Sequence, residues 1–321
     1  MKRALRLVGL VLLLVPAALE AQSAKRPLNH GDFDGWKSIA SQTLSRDGRT
    51  LAYAFMPQDA DGELIVRDLK TGKQRREGVG TLPPAPLPNP EEANPEEPPQ
   101  PRRIRILISS DGRYVVATTY PPKAETEKAK KERKRPEEMP KGGLVWIDQT
   151  TGEATRVASV KSVQLPAKGG AWLAYLKEAA APERREGSEE RRPAGSPRVG
   201  AGRGERKEYG SELVLRDLVK GSERTFPNVL DCSFARDGKT LLFTVSSRKE
   251  EENGAFAVTP GTDAAPVALL AGKGKYARLL WDREQTQAAF VSDKDDAGAK
   301  VPRFKVYRWT RGAAAAVEVV S

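Results

Sequence analysis

One short phrase of sequence recurs along this chain and limits what it can fold into. It reads LSRDGRTLAYAF at 44–55, ISSDGRYVVATTY at 108–120 and FARDGKTLLFTV at 234–245. Each copy has an apolar lead-in, an Asp-Gly pair followed by a basic residue, then an alternating apolar run. Asp-Gly suits a two-residue hairpin turn because both residues tolerate positive φ, and the alternation behind it is the period of a strand. A second phrase follows the first. ELIVRDLKTGK at 63–73 and GLVWIDQTTGE at 143–153 match in residue type, with an Asp ahead of a Thr-Gly turn, and SELVLRDLVKG at 211–221 repeats the pattern.

Hairpins repeating at this spacing predict stacked four-stranded blades, the all-β architecture of a β-propeller. Five blades are legible, at about 40–80, 102–160, 161–227, 228–272 and 277–321, within a propeller segment 40–321 preceded by an entry segment 22–39. In the third blade the Asp-Gly pair has become Gly169-Gly170. Trp36 and Ile39 are expected to be buried where the chain enters the first blade. No closing strand is evident, so the propeller reads as incomplete, its blades interrupted by long disordered loop insertions.

The insertions carry much of the charge. The chain has a net charge of +11. Residues 123–141 hold eight basic and five acidic side chains, and residues 183–208 hold eight and six. Their mixed sign and lack of interleaved aromatics point to solvated loops rather than a nucleic-acid surface. A third stretch, PPAPLPNPEEANPEEPPQP at 83–101, cannot pair inside a sheet, because proline donates no amide hydrogen. Residues 1–21 have the basic start, apolar middle and small-residue end of a secretory signal peptide. Its cleavage predicts a secreted or periplasmic protein with no membrane anchor.

Chemistry-bearing residues are sparse. Cys232 is the single cysteine, placed among strand residues where it reads as a small buried hydrophobe. His30 is the single histidine and lies ahead of the first blade. With one Cys and one His, a zinc site is not expected. Asp293, Asp295 and Gly298 start like a calcium loop, but Ala297 and Phe304 stand where ligands belong. These residues, and Asp59, Asp61 and Glu63, read as hairpin turns. GAGRGERK at 200–207 lacks the spacing and context of a phosphate loop. Trp146, Trp172, Trp281 and Trp309 recur about once per blade and suit packing between blades. No catalytic, cofactor-binding or metal residue is assigned, and no cofactor is expected.

DFDGWKSI at 32–39, LSRDGRTLAYAFMPQDADGELIVRDLKTG at 44–72 and the later Asp-Gly hairpins together resemble a known family. They are similar to the N-terminal propeller region of secreted bacterial prolyl-oligopeptidase-type (S9) serine peptidases. The resemblance covers residues 25–321 and is most specific over the first seventy. It implies a propeller that caps an α/β-hydrolase domain carrying Ser, Asp and His, and that admits short or unfolded peptides. This chain has no G-x-S-x-G nucleophile elbow, and His30 is the one candidate base. The expected role is therefore the non-catalytic, substrate-gating part of such a peptidase, whose peptide substrates are cut by a hydrolase domain absent from this chain. The alternative is a stand-alone periplasmic module, similar to the propeller of TolB-like proteins, that binds a protein partner on one face.

Overall fold

Each Asp-Gly phrase forms the first turn of an antiparallel four-stranded sheet. The computed structural model describes residue 27 and residues 29–34, 36–83, 103–178, 208–299 and 301–320. The signal-peptide, proline-rich and 183–207 readings therefore lie outside the described residues. A short helix, α1 (His30–Asp34), precedes blade one, which holds β1 (Lys37–Leu44), β2 (Thr50–Pro57), β3 (Gly62–Asp68) and β4 (Gln74–Gly80). Blade two holds β5 (Ile106–Ile108), β6 (Tyr114–Thr119), β7 (Gly143–Asp148) and β8 (Ala154–Val157), with α2 (Lys123–Lys131) between β6 and β7. Blade three is β9 (Val160–Gln164), β10 (Trp172–Lys177), β11 (Ser211–Asp217) and the first half of β12 (Glu223–Phe234). Blade four takes the second half of β12, then β13 (Leu241–Val245), β14 (Gly254–Val258) and β15 (Val267–Ala271). Blade five is β16 (Tyr276–Trp281), β17 (Gln287–Ser292), β18 (Lys305–Thr310) and β19 (Val317–Val320).

The shared strand makes blades three and four one seven-stranded sheet. β12 pairs with β11 through Leu213↔Phe226, then with β13 through Cys232↔Phe243. Between the two halves, Asn228 takes φ 57°, a left-handed conformation that asparagine tolerates better than most residues.

The Asp-Gly turns differ from the expected two-residue form. Gly48 has φ 70°, but Asp47 is not in the positive-φ region. The Gly48 amide donates to Ser45 O at 3.0 Å, and the Ser45 amide donates to Thr50 O at 2.8 Å. This is a longer loop, an ordinary turn closed by one left-handed glycine. The aspartate has a different task. Asp47 Oδ1 accepts from Ser45 Oγ at 2.5 Å and from the Arg49 amide at 3.1 Å. Ser109, Asp111 and Arg113 repeat the arrangement in blade two. The second turns use aspartate again: Asp68 Oδ1 accepts from the amides of Lys70 and Thr71 at 2.8 and 2.9 Å. Asp217 does the same for Val219 and Lys220 at 2.9 and 3.0 Å.

These bonds favour ionised aspartates. The Ser45 hydroxyl holds Asp47 below the ordinary aspartate range, the Thr71 amide does so for Asp68, and the Arg113 guanidinium for Asp148. Arg113 Nη2 donates to Asp148 Oδ2 at 2.7 Å, joining the first turn of blade two to its second. A carboxyl whose folded pKa is depressed contributes stability above its unfolded value, and that stability fades as pH falls through the folded one. Denaturant midpoints should therefore hold between pH 7 and 5, then drop below about pH 4, the ordinary aspartate range. Asp148→Asn should lower the midpoint at neutral pH and flatten part of the acid slope; an unchanged slope would contradict the assignment.

Four apolar clusters bind the five blades in succession. Met56, Leu64 and Val66 of blade one meet Ile106, Val115 and Val145 of blade two. Tyr114, Val116 and Trp146 of blade two meet Val163, Leu173 and Tyr175 of blade three. The Tyr114 hydroxyl donates to Leu218 O across that boundary at 2.8 Å. Blades three and four share Leu213, Phe226, Cys232 and Phe243. Blades four and five share Leu242, Leu269, Phe290 and Trp309. Burying such a side chain is worth about 1.5–3 kcal/mol, so these boundaries hold the assembly together.

Among the described residues no cluster joins blade five back to blade one, and both outer faces stay open. Ile39 on blade one is 63% exposed and Leu280 on blade five is 65% exposed. The expected burial of Trp36 and Ile39 does not occur, because no sheet covers that face. Trp36 instead meets Phe33 edge-on, with ring centroids 4.7 Å apart. A further difference concerns residues 123–141, expected as a solvated loop. Residues Lys123–Lys131 form a helix that buries Ala129 and places Lys128, Lys130 and Lys131 in its last turn, where they complement the helix dipole.

Candidate functional site

In every blade the first-to-second and third-to-fourth strand turns lie at one end of the sheet. The second-to-third connection and the passage to the next blade lie at the other. All the long insertions use that second end: Pro83 and Arg103, Tyr120 and Gly142, and Glu178 and Glu208 mark their described edges. Between the insertion ends of blades one, two and three lies a cavity of about 980 Å³.

Its floor is made by backbones in close contact. The Tyr120 amide donates to Val79 O at 2.8 Å, and the Thr81 amide to Pro121 O at 3.2 Å. Gly80, at φ 73°, sits between them, and a Cβ there would lie 1.9 Å from Tyr120 O. Gly142 is equally confined, since its Cβ would lie 2.6 Å from Thr119 O.

Two elements supply most of the polar wall. In the segment leading into β5, Ile104 and Ile106 are buried while Arg103 and Arg105 are exposed, the alternation of extended backbone. Both arginines line the cavity. Opposite them α2 presents Lys123, Thr126, Glu127 and Lys130. Their spacing of three, four and seven puts all four on one face of the helix. The helix is tied down by Lys123, whose Nζ donates to Asp59 Oδ2 at 2.7 Å and whose amide donates to Asp61 Oδ1 at 2.8 Å. The hydrogen bond to Asp59 raises the Lys123 ammonium above the ordinary lysine range.

Among the described residues, six basic and three acidic side chains line the cavity. The acids are spent on neighbours: Asp59 and Glu127 on Lys123, at 2.7 and 3.9 Å, and Glu178 on Lys141 at 4.0 Å. Lys161 pairs with Glu208 at 2.7 Å. Among the described residues no carboxylate pairs with Arg103, Arg105 or Lys130.

The residues singled out in the sequence lie elsewhere. His30 is in α1, ahead of blade one. Cys232 is buried between blades three and four, where burial pushes its thiol up to about 12, so it is no nucleophile at neutral pH. Asp295 accepts from the Tyr307 hydroxyl at 2.9 Å and pairs with Lys305. Trp146 and Trp309 are buried between blades, and Trp281 packs edge-on against Trp309 with ring centroids 6.2 Å apart. The sequence reading missed Arg103, Arg105 and Lys130. The R-I-R-I alternation at 103–106 and the K-x-x-T-E-x-x-K spacing at 123–130 were the available signals.

Five four-stranded blades among the described residues, packed face to face with the insertions at one end, define the class: this is a β-propeller. Among solved structures it is similar to propeller domains of S9 peptidases. The propeller domain of the trilobed protease from Pyrococcus furiosus, described as having an open velcro topology, aligns with a TM-score of 0.41 at 9% identity, over 88% of this chain and 72% of that one. An acylaminoacyl peptidase from Pyrococcus horikoshii aligns with a TM-score of 0.40 at 11% identity, over 92% of this chain and 41% of that one. TolB from Acinetobacter baumannii gives 0.31 at 12% identity, over 87% and 56%. The chain thus spans about two fifths of the acylaminoacyl peptidase it matches. No family model matches the chain, and no curated protein matches it. No helix among the described residues is long and apolar enough to cross a membrane.

Proposed function

We propose that this chain is the substrate-gating, non-catalytic propeller part of a secreted prolyl-oligopeptidase-like serine peptidase, and that peptide enters at the insertion end. One observation carries the reading. The insertion ends of three successive blades wall a cavity of about 980 Å³, lined by cations, hydroxyls and short apolar patches. Those groups bind and orient a ligand. A peptide-cleaving serine also needs a base within hydrogen-bond reach, and the single histidine of the chain lies ahead of the first blade in the sequence. The volume lies at the upper end of ligand pockets, enough for a short peptide.

The coding DNA beyond codon 321 gives the direct test. A frame that continues into G-x-S-x-G, then Asp and His, is the expected result. The full chain should also bind short unstructured peptides, read by fluorescence anisotropy, and release no product from a peptide–coumarin substrate. Hydrolysis by the purified chain that disappears with His30→Ala would overturn the proposal. So would a stop codon directly after Ser321 together with capture of a folded periplasmic protein, the behaviour of a stand-alone interaction module.

A further inference from the structure

The cavity has a chemical preference built into its walls. Arg103 and Arg105 are alternate, exposed residues flanking buried Ile104 in the segment leading into β5, so their side chains share a side, about 7 Å apart along an extended backbone. Lys130 lies on the α2 face that lines the same cavity, with the Thr126 hydroxyl one turn earlier. The carboxylates within reach are committed to Lys123, Lys141 and Lys161. Three cations without a carboxylate partner among the described residues therefore line this space from two elements, while its own carboxylates pair with other lysines. Leu82, Pro83, Tyr120 and Pro121 add apolar wall, which suits a chain with carbon between its charges better than a bare ion.

We infer that this cavity selects acidic peptide segments, with Arg103 and Arg105 taking one carboxylate and Lys130 a second. The planar arginine fork matches a carboxylate through two parallel hydrogen bonds, while the lysine acts as a point charge. The inference deepens the gating reading and rests on it, since it names which peptides the insertion end admits.

The test compares three fluorescein-labelled peptides of equal length on the full chain, one rich in Glu, one with Gln in place of every Glu, one with Lys. The Glu peptide should bind about tenfold or more tightly than the Gln peptide and weaken as salt rises, because exposed charges are screened. Arg103→Ala with Arg105→Ala should remove about tenfold of that affinity, Lys130→Ala a smaller share, and Arg103→Lys with Arg105→Lys should restore part of it. These side chains are exposed, so the variants keep the fold, and Arg67→Ala on blade one should leave binding unchanged. Equal binding of the Glu and Gln peptides would overturn the inference while leaving peptide reception intact; binding of none of the three would remove the gating reading itself. Displacement by millimolar inorganic phosphate as effective as by unlabelled peptide would reduce the site to a general anion binder and also overturn the assignment.

Discussion

Replacing Phe290 with alanine should cost about 3–5 kcal/mol, the range for deleting a buried aromatic ring. Phe290 is 1% exposed, on β17, between blades four and five. Its ring stacks on Tyr307 at a centroid distance of 5.7 Å. Around it Leu242 and Leu269 of blade four close the same cluster. The loss should be local as well as large. Blade five has one neighbouring blade among the described residues, and in repeat architectures a terminal unit draws its stability from a single interface. The variant should therefore unfold in two steps, with limited proteolysis cutting first within 276–320. A single transition shifted as a whole would show instead that the five blades melt as one unit.

Gly80→Ala should destabilise by about 3 kcal/mol or more, because two penalties meet there. The left-handed conformation alone costs a residue with a Cβ about 1–2 kcal/mol. The new methyl would also sit 1.9 Å from Tyr120 O, a backbone atom that cannot rotate away. Blade one and the start of the α2 insertion would have to separate, so binding in the cavity should weaken along with stability. Gly72 provides the control. It has φ 72°, and a Cβ there meets nothing within 4 Å. Gly72→Ala should show only the conformational part, and equal losses for the two variants would refute the close-approach argument.

Local signals carried the architecture, and spatial convergence hid the site. The Asp-Gly and Asp-Thr-Gly phrases are legible because a turn is decided by a few adjacent residues. Even so, the role of the aspartate differs from expectation: it accepts hydrogen bonds at Asp47 and Asp111 rather than adopting positive φ. The Trp36 and Ile39 expectation failed because burial depends on whether a neighbouring sheet covers the face, which blade one's own residues do not encode. The helix at 123–131 was overlooked because its charge suggested solvation. Its apolar anchorage is one alanine, Ala129, and its polar anchorage is Asp59 and Asp61, more than sixty residues upstream. Arg103 and Lys130 are 27 positions apart in the sequence, and only the packing of blade two brings them to one cavity.

The twelve-residue strand β12 belongs to two blades at once. Blades three and four consequently behave as a splint: bending between them would stretch a run of ladder hydrogen bonds rather than slide one greasy face over another. Breathing of the assembly is thus steered to the boundaries that share no strand. Two of those boundaries, one–two and two–three, flank the cavity between the insertion ends, so the architecture concentrates its compliance beside that cavity and its stiffness behind it.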